Sequence, residues 1–182
     1  IKKNIQDKNV TILNCKLDDS WMRDIAPIFF IDEKKIKSVN FRFNGYGKYL
    51  NFQNDNKVSE LISNHLKIPS IFSDIVLEGG AITYDDNSNL FSTKNVIFNK
   101  NRKQTLSNEK ILHELKMKFN LKHIFLFENG LVGDDTDGHV DNLLCPIGNN
   151  KYLIADTNKF NLNFNILDKN KKDLIAFFND TQ

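Results

Sequence analysis

Residues 18–43, DDSWMRDIAPIFFIDEKKIKSVNFRF, lead from an acidic loop into an apolar strand, a tight polar turn and a second strand. PIFFID is a short apolar run and KSVNFRF alternates apolar with polar residues, and both patterns are typical of strands. Asp24 lies where the loop meets the first strand, close to Trp21, the one tryptophan of the chain. A capped turn explains this aspartate as well as a ligand site does.

The same order of elements recurs twice more along the chain. Each time a carboxylate in a polar loop precedes a strand, a polar turn, a second strand and a helix, and the three acids are Asp24, Glu78 and Asp141. The turns are DEKK, DDNSN and GNN, and each acid precedes its turn by seven or eight residues. Repeats of this length predict supersecondary units arranged radially or in a stack. Rotation about one axis would bring the equivalent loops, and therefore the three acids, to one shared cavity.

The rest of the chain supplies the other strands and helices of these units. Strands are predicted at VTILNC (10–15), SDIVLE (73–78), AITY (81–84), LFST (90–93), NVIFN (95–99), HIFLF (123–127), NLLCPI (142–147) and KYLIAD (151–156). Apolar stripes predict one helix that Asp55 caps, a second that begins near Ser107, and a third over residues 165–178. This order of strands and helices predicts an α/β fold.

Composition and charge limit the classes of function. The chain has 182 residues, 40% hydrophobic and 26% charged, which suits one compact domain or a piece of a larger one. Because 25 basic residues balance 23 acidic ones, the net charge of +2 argues against nucleic acid or a membrane surface as a partner. The two cysteines make no disulfide framework, so a reducing, cytoplasmic location is expected. Cys15 falls in a predicted apolar strand and is expected to be a small core residue.

The segment GDDTDGHVDNLLC, residues 133–145, is the most informative of the three loops. If it continues as an extended strand, His139 and Asp141 lie two residues apart and point to the same side, so both address one ligand. An H-x-D pair alone is equally explained by two metal ligands or by a polar strand edge. A metal site would need more imidazoles or thiolates nearby, and the chain has four histidines, so no metal is expected.

A cavity lined by these acids would suit a guanidinium group. A guanidinium is planar, carries five N–H donors and pairs with carboxylates through two parallel hydrogen bonds. Asp24 and Asp141 would form the clamp, and Trp21 would stack over a flat cation or its aliphatic chain.

The blocks DDSWMRDIAP, LEGGAI, IFNKNR and GDDTDGHVDN, in this order, resemble the agmatine deiminase and bacterial peptidylarginine deiminase family of the guanidine-modifying superfamily. The resemblance implies a pentein-type α/β propeller of five ββαβ modules, of which this chain holds roughly three. Residues 1–182 would then form a single, incomplete catalytic domain. The resemblance covers about residues 10–160.

The resemblance also implies roles for the matching residues. Asp24 and Asp141 would hold the guanidinium nitrogens, and His139 would be the general acid and base. Glu78 would line the same pocket and either support the charged substrate or orient His139. Two further residues would bind substrate: Trp21 would contact its chain, and Asp135 would meet the distal amine of agmatine.

The implied reaction converts agmatine to N-carbamoylputrescine and ammonia. A cysteine thiolate attacks the guanidinium carbon, ammonia leaves with a proton from His139, and water hydrolyses the thiouronium, with no metal or organic cofactor. Peptidylarginine or free arginine is the alternative substrate, although an acid at Asp135 favours a distal amine without a carboxylate. A non-catalytic remnant that binds guanidines or polyamines is the third reading.

The chain departs from the family pattern at the nucleophile. The family cysteine lies in a glycine-rich segment with a histidine near the C-terminus, and these 182 residues contain no such segment. If residues 139–145 are extended, Cys145 is roughly 20 Å from the imidazole of His139, too far to replace it. We therefore expect an incomplete deiminase that is inactive alone. Its exposed strand edges and apolar faces would be covered by a homo-oligomer or by the missing C-terminal part.

Overall fold

The computed structural model describes residues 9–181. Within these residues the chain forms eight strands: β1 (Ile28–Asp32), β2 (Lys35–Arg42), β3 (Ser70–Val76), β4 (Thr83–Tyr84), β5 (Asn89–Thr93), β6 (His123–Phe127), β7 (Leu144–Pro146) and β8 (Tyr152–Ile154). The α-helices of the same residues are α1 (Met22–Ile25), α2 (Val58–Leu66), α3 (Lys94–Ile97), α4 (Asn108–Lys118) and α5 (Phe164–Asp180). None of these helices has the length and apolar character needed to traverse a bilayer.

The strands form three sheets that repeat one plan. In the first sheet β1 and β2 are an antiparallel hairpin, α2 follows, and β3 returns parallel to β2. The second sheet repeats this order with β4, β5 and β6, and both α3 and α4 lie in its crossover. The third sheet is the antiparallel hairpin of β7 and β8, which α5 follows. The predicted ββαβ order is thus confirmed in two units, and the third unit repeats its ββα part.

The hairpin turns have backbone conformations that suit antiparallel strands. Glu33 and Lys34 both have positive φ, at 47° and 65°, which is the two-residue turn that matches the twist of an antiparallel hairpin. Asn149 and Asn150, in the turn before β8, also have positive φ, and asparagine tolerates this conformation better than most residues. The carboxylate of Asp85 accepts two backbone N–H groups of its own turn. All three predicted turns therefore join the predicted pairs of strands.

Neighbouring units share their hydrophobic cores. The first core joins the first two sheets, with Val39 of β2 and Ile75 of β3 packed with Leu90 of β5. The second core joins the second sheet to the third unit, and Phe91 of β5 packs there with Leu167 of α5. Because consecutive strand residues point to opposite faces, β5 supplies Leu90 to one core and Phe91 to the next. The units are therefore packed against one another rather than linked loosely.

Two predicted strands are wrong. Residues 10–15 form no strand, and Cys15 is exposed rather than a core residue, because no strand in residues 9–181 pairs with this segment and its apolar side chains are mostly not covered. Residues 95–99 belong mainly to α3 rather than to a strand. The side chain of Thr93 caps that helix by accepting the N–H of Val96, and this local hydrogen bond outweighs the β-branched character of the segment.

The predicted role of Asp55 as a helix cap is also wrong. Its carboxylate accepts the N–H groups of Asp18 and Asp19 instead, so it fixes the acidic loop that precedes α1. Ser107 does cap its helix, because its hydroxyl accepts the N–H of Lys110.

Thr93 also connects α3 to the loop that carries His139, because its hydroxyl donates to the carbonyl of Gly138 at 2.7 Å. We expect Thr93→Val, which keeps the shape and removes the hydroxyl, to lower the free energy of unfolding by about 2 kcal/mol. The loss combines a missing cap with a buried carbonyl left without a donor. Urea unfolding measures it, with Thr105→Val at an exposed position as the control. Equal losses in both variants would contradict the assignment.

Candidate active site

Each of the three predicted acids lies in the segment that precedes one of the units. Asp24 is in α1, immediately before the first sheet, and Glu78 follows β3 just before the second sheet. Asp141 lies in a single 3₁₀ turn, Val140–Asn142, between β6 and β7. The chain therefore places one carboxylate in the same region each time it enters a unit.

Gly80 marks the point where these groups meet. A Cβ atom built on Gly80 would lie 2.6 Å from Asp141 Oδ2, 2.6 Å from His139 Nδ1 and 2.7 Å from Asp24 Oδ1. Real Cβ atoms do not approach polar atoms this closely, so only glycine fits here without displacing the site. The backbone of Gly80 is the floor on which two carboxylates and one imidazole converge.

Asp24 is held by a donor at each oxygen. The N–H of Gly80 donates to Oδ1 at 2.9 Å, and the hydroxyl of Tyr46 donates to Oδ2 at 2.8 Å. Burial raises the pKa of Tyr46, and the hydrogen bond to Asp24 raises it further, so the phenol remains a neutral donor. Asp24 is itself buried, and its carboxylate is fixed in one orientation towards the site.

His139 is not in a strand, contrary to the sequence-based expectation. The carboxylate of Asp134 accepts the N–H groups of both Gly138 and His139, which closes the loop into a turn instead of an extended segment. The imidazole is 2% exposed, with Nδ1 3.7 Å from Asp24 Oδ1 and Nε2 3.4 Å from Glu78 Oε2. His139 and Asp141 still face the same site, but a turn and not the alternation of a strand brings them there.

Asp141 lies at the solvent side of the cluster, and the residue as a whole is exposed. Burial of its carboxylate against the site nevertheless raises the pKa of Asp141, and the negative charge of Asp24 acts in the same direction, while His139 opposes both. A cation bound in the site would therefore stabilise the charged form of Asp141.

Glu78 is not exposed to solvent. It is fully buried, and the Nε of Arg102 lies 3.1 Å from both of its oxygens. Arg102 is also fully buried, and its Nη2 donates to the carbonyl of Thr136 at 2.8 Å while Nη1 lies 3.4 Å from Asp137 Oδ2. Lys48 completes the chain of charges at 2.5 Å from Asp137 Oδ1. Glu78 thus faces His139 and Arg102.

Arg102, Lys48 and Tyr46 are residues of the site that the sequence reasoning missed. Arg102 lies in the block IFNKNR, which contributed to the resemblance without receiving a role. A single arginine among four basic or polar neighbours gives no sign that it is buried. Only the contacts with Glu78 and Asp137 reveal its place.

A cleft of about 490 Å³ adjoins the cluster. Trp21 and Asp135, the two predicted substrate-binding residues, both line it, and the indole of Trp21 is largely exposed. Asp19, Asp24 and Asp134 are the other acids in its wall, and no lysine or arginine of residues 9–181 lines it. Burial acts to raise the pKa of Asp134, but hydrogen bonds from Thr136, Asn142 and the N–H of His139 together lower it. The cleft is therefore built for a cation.

Neither cysteine contributes to this cleft. Cys15 and Cys145 are both exposed, and neither is among its lining residues. The distance expected for Cys145 assumed an extended segment from residue 139, and the 3₁₀ turn shows that this assumption is wrong. In the described part of the chain, no group of three or more His, Cys, Asp or Glu side chains is arranged to hold a metal ion.

Comparisons with known proteins agree with the fold. The model of the Porphyromonas-type peptidyl-arginine deiminase family matches residues 1–182. The chain belongs to this family. It is 32% identical over 163 residues to the agmatine deiminase of Pseudomonas aeruginosa, covering 86% of this chain and 44% of that protein.

Solved structures of the family have the same fold. A cysteine-to-serine variant of the C. jejuni agmatine deiminase with substrate bound has a TM-score of 0.86 at 30% identity, covering 97% of this chain and 53% of that one. The agmatine deiminase of Enterococcus faecalis has a TM-score of 0.82 at 25% identity, covering 89% and 47%. The present chain spans about half the length of these relatives. Its units are modules of the pentein-type α/β propeller.

The buried ion pair makes a prediction about stability. Arg102→Met leaves the carboxylate of Glu78 buried without its partner, so we expect the free energy of unfolding to fall by about 3–5 kcal/mol. Arg42→Met, at an exposed position of β2, removes the same group and should change it by less than about 0.5 kcal/mol. Chemical denaturation compares the two. A loss below about 1 kcal/mol for Arg102→Met would show that the pair is not structurally required.

Proposed function

We propose that this chain provides the guanidinium-binding side of an agmatine deiminase active site, in which agmatine becomes N-carbamoylputrescine and ammonia. The observation that carries the proposal is the convergence of Asp24, His139 and Asp141 on the bare backbone of Gly80. Two carboxylates beside a nitrogen base match the charge and the N–H donors of a guanidinium. The activity of the family's relatives supports the same reaction.

In this proposal each residue has a distinct task. Asp24, fixed by Tyr46 and Gly80, and Asp141 pair with the guanidinium nitrogens. His139 donates a proton to the departing amine, which leaves as ammonia, and later accepts a proton from the attacking water. Glu78 is withdrawn from the cleft, so it orients His139 rather than touching the substrate.

The walls of the cleft favour agmatine over arginine. Trp21 covers the aliphatic chain, and Asp135 and its acidic neighbours stabilise the distal ammonium. The carboxylate of free arginine would meet the same acids, and none of the residues among 9–181 that line the cleft is a lysine or an arginine. The ammonium of Lys48 is committed to the backbone carbonyl of Asp135 and to the carboxylate of Asp137. Peptidylarginine, which lacks that carboxylate, remains the second candidate because the family model carries that name.

The nucleophile of the complete enzyme is proposed to come from outside these 182 residues. Cys15 and Cys145 are exposed and away from the cleft, and the chain spans about half the length of its relatives. The chain would then be one part of a single catalytic domain. We further propose a role in polyamine metabolism, supplying the precursor for putrescine biosynthesis in the cytoplasm, where unpaired thiols stay reduced.

Calorimetric titration of the chain with agmatine tests the binding step without requiring turnover. We expect saturable binding that is about tenfold or more tighter than that of arginine, because the carboxylate of arginine is repelled by the acids of the cleft. A tenfold difference in affinity corresponds to about 1.4 kcal/mol. Gly80→Ala should abolish binding, since its methyl group occupies the meeting point of the clamp. Gly148 has a φ of +79° and does not line the cleft. As the control, Gly148→Ala should therefore cost stability but not affinity for agmatine. Unchanged binding in Gly80→Ala would exclude this site.

The raised pKa of Asp141 predicts how binding depends on pH. The guanidinium binds the ionised carboxylate, so affinity should already weaken at a pH above the ordinary value of 3.8, by about tenfold per pH unit below the raised pKa. Binding in this range should release a proton, because the bound cation lowers the pKa of Asp141 again. Titrations in buffers with different ionisation enthalpies count that proton. Asp141→Asn should bind weakly and release none from this position.

A further inference from the structure

The guanidinium of Arg102 controls a carboxylate that itself faces the imidazole. Its Nε lies 3.1 Å from both oxygens of Glu78, and its other nitrogens reach the carbonyl of Thr136 and the carboxylate of Asp137. Because Arg102 and Glu78 are both fully buried, neither side chain has water as an alternative partner. The orientation of the Glu78 carboxylate is therefore set by Arg102.

The two ring nitrogens of His139 face different surroundings. Nδ1 points towards Gly80 and lies 3.7 Å from Asp24 Oδ1, on the side where the clamp is. Nε2 is buried and makes no full hydrogen bond, and Glu78 is the one carboxylate of residues 9–181 within 4 Å of it, at 3.4 Å. A buried N–H needs an acceptor, and Glu78 Oε2 is the acceptor on that side.

We propose that Arg102 is a positioning residue that fixes the tautomer of His139 through Glu78. By holding the carboxylate of Glu78 against Nε2, Arg102 keeps the proton of the neutral imidazole on Nε2. Nδ1 is then the free nitrogen that faces the clamp. This inference rests on the proposed function only for its purpose: Nδ1 becomes the atom that exchanges protons with the substrate.

The tautomer can be read directly, without substrate or turnover. Long-range ¹H–¹⁵N correlation spectra of the ¹⁵N-labelled chain report which ring nitrogen carries the proton at high pH, where imidazoles are neutral. The chain has four histidines, and His139→Asn identifies the signals of His139 by their loss. We expect protonated Nε2 and free Nδ1. A proton on Nδ1 would overturn the proposal without any further variant.

Glu78→Gln gives the sharper test because an amide has one acceptor and one donor end. Arg102 should claim the amide oxygen, which turns the NH₂ group towards Nε2. Nε2 must then accept, so the proton of His139 should move to Nδ1. The other three histidines should show no change.

A second substitution separates positioning by Arg102 from a general effect of the new amide. In the Glu78→Gln/Arg102→Met variant nothing holds the amide oxygen, so His139 should return to the Nε2–H form. In Glu78→Gln/Arg42→Met, which loses an exposed guanidinium instead, the proton should stay on Nδ1. Failure of the single variant to switch, or of the Arg102 double variant to revert, overturns the proposal.

Calorimetry tests the proposed function and the tautomer measurement tests the role of Arg102, so either proposal can be overturned without the other. Absence of agmatine binding together with the expected tautomers would remove the proposed function and leave the role of Arg102 intact. Agmatine binding together with a proton on Nδ1 of the unsubstituted chain would do the reverse.

Discussion

The site depends on one buried contact, the pairing of Arg102 with Glu78. Two charges with no access to water are costly unless each finds several partners, and here the partners are other parts of the site. Glu78 turns its remaining side to His139, while Arg102 ties down Asp137, which Lys48 approaches from the first unit. Charges of alternating sign therefore join loops that are far apart in sequence. The carboxylate of Glu78 that pairs with the buried Arg102 therefore also fixes the surroundings of the His139 imidazole.

Much of the fold, and the acids of the site, could be predicted because they follow from repetition. A carboxylate before each hairpin is a weak signal alone, but Asp24, Glu78 and Asp141 recur at equivalent places in a ββα order. Equivalent loops of related units converge, and the structure brings Asp24 and Asp141 together at Gly80. The hairpins were predictable for the same reason, since polar turns separated short apolar runs. The regular spacing of the repeats thus predicts which loops lie close together, even though no side-chain contact can be predicted from it.

What could not be predicted depends on hydrogen bonds between single side chains and the backbone. Thr93 converts an apparent strand into α3, and the carboxylate of Asp134 bends the segment before His139 into a turn. Asp55 anchors a distant loop rather than its own helix. Arg102 was invisible for a related reason: a buried arginine differs from a surface one only in its partners, and those come from other units. Local propensity describes a segment by itself, whereas these residues respond to what the fold places beside them.

The sharing of β5 between two cores bears on how such a chain folds. Leu90 and Phe91, adjacent in sequence, stabilise opposite interfaces of the middle unit. The repeated units therefore do not fold independently, because the middle unit exposes an apolar face to solvent until both neighbours pack against it. Strand β6 couples the two cores in the same way, because Ile124 packs against the first core and Phe127 belongs to the second. A substitution of Leu90 or Phe91 therefore weakens the packing between the middle unit and one of its neighbours, and a change in the backbone of β5 affects both interfaces at once.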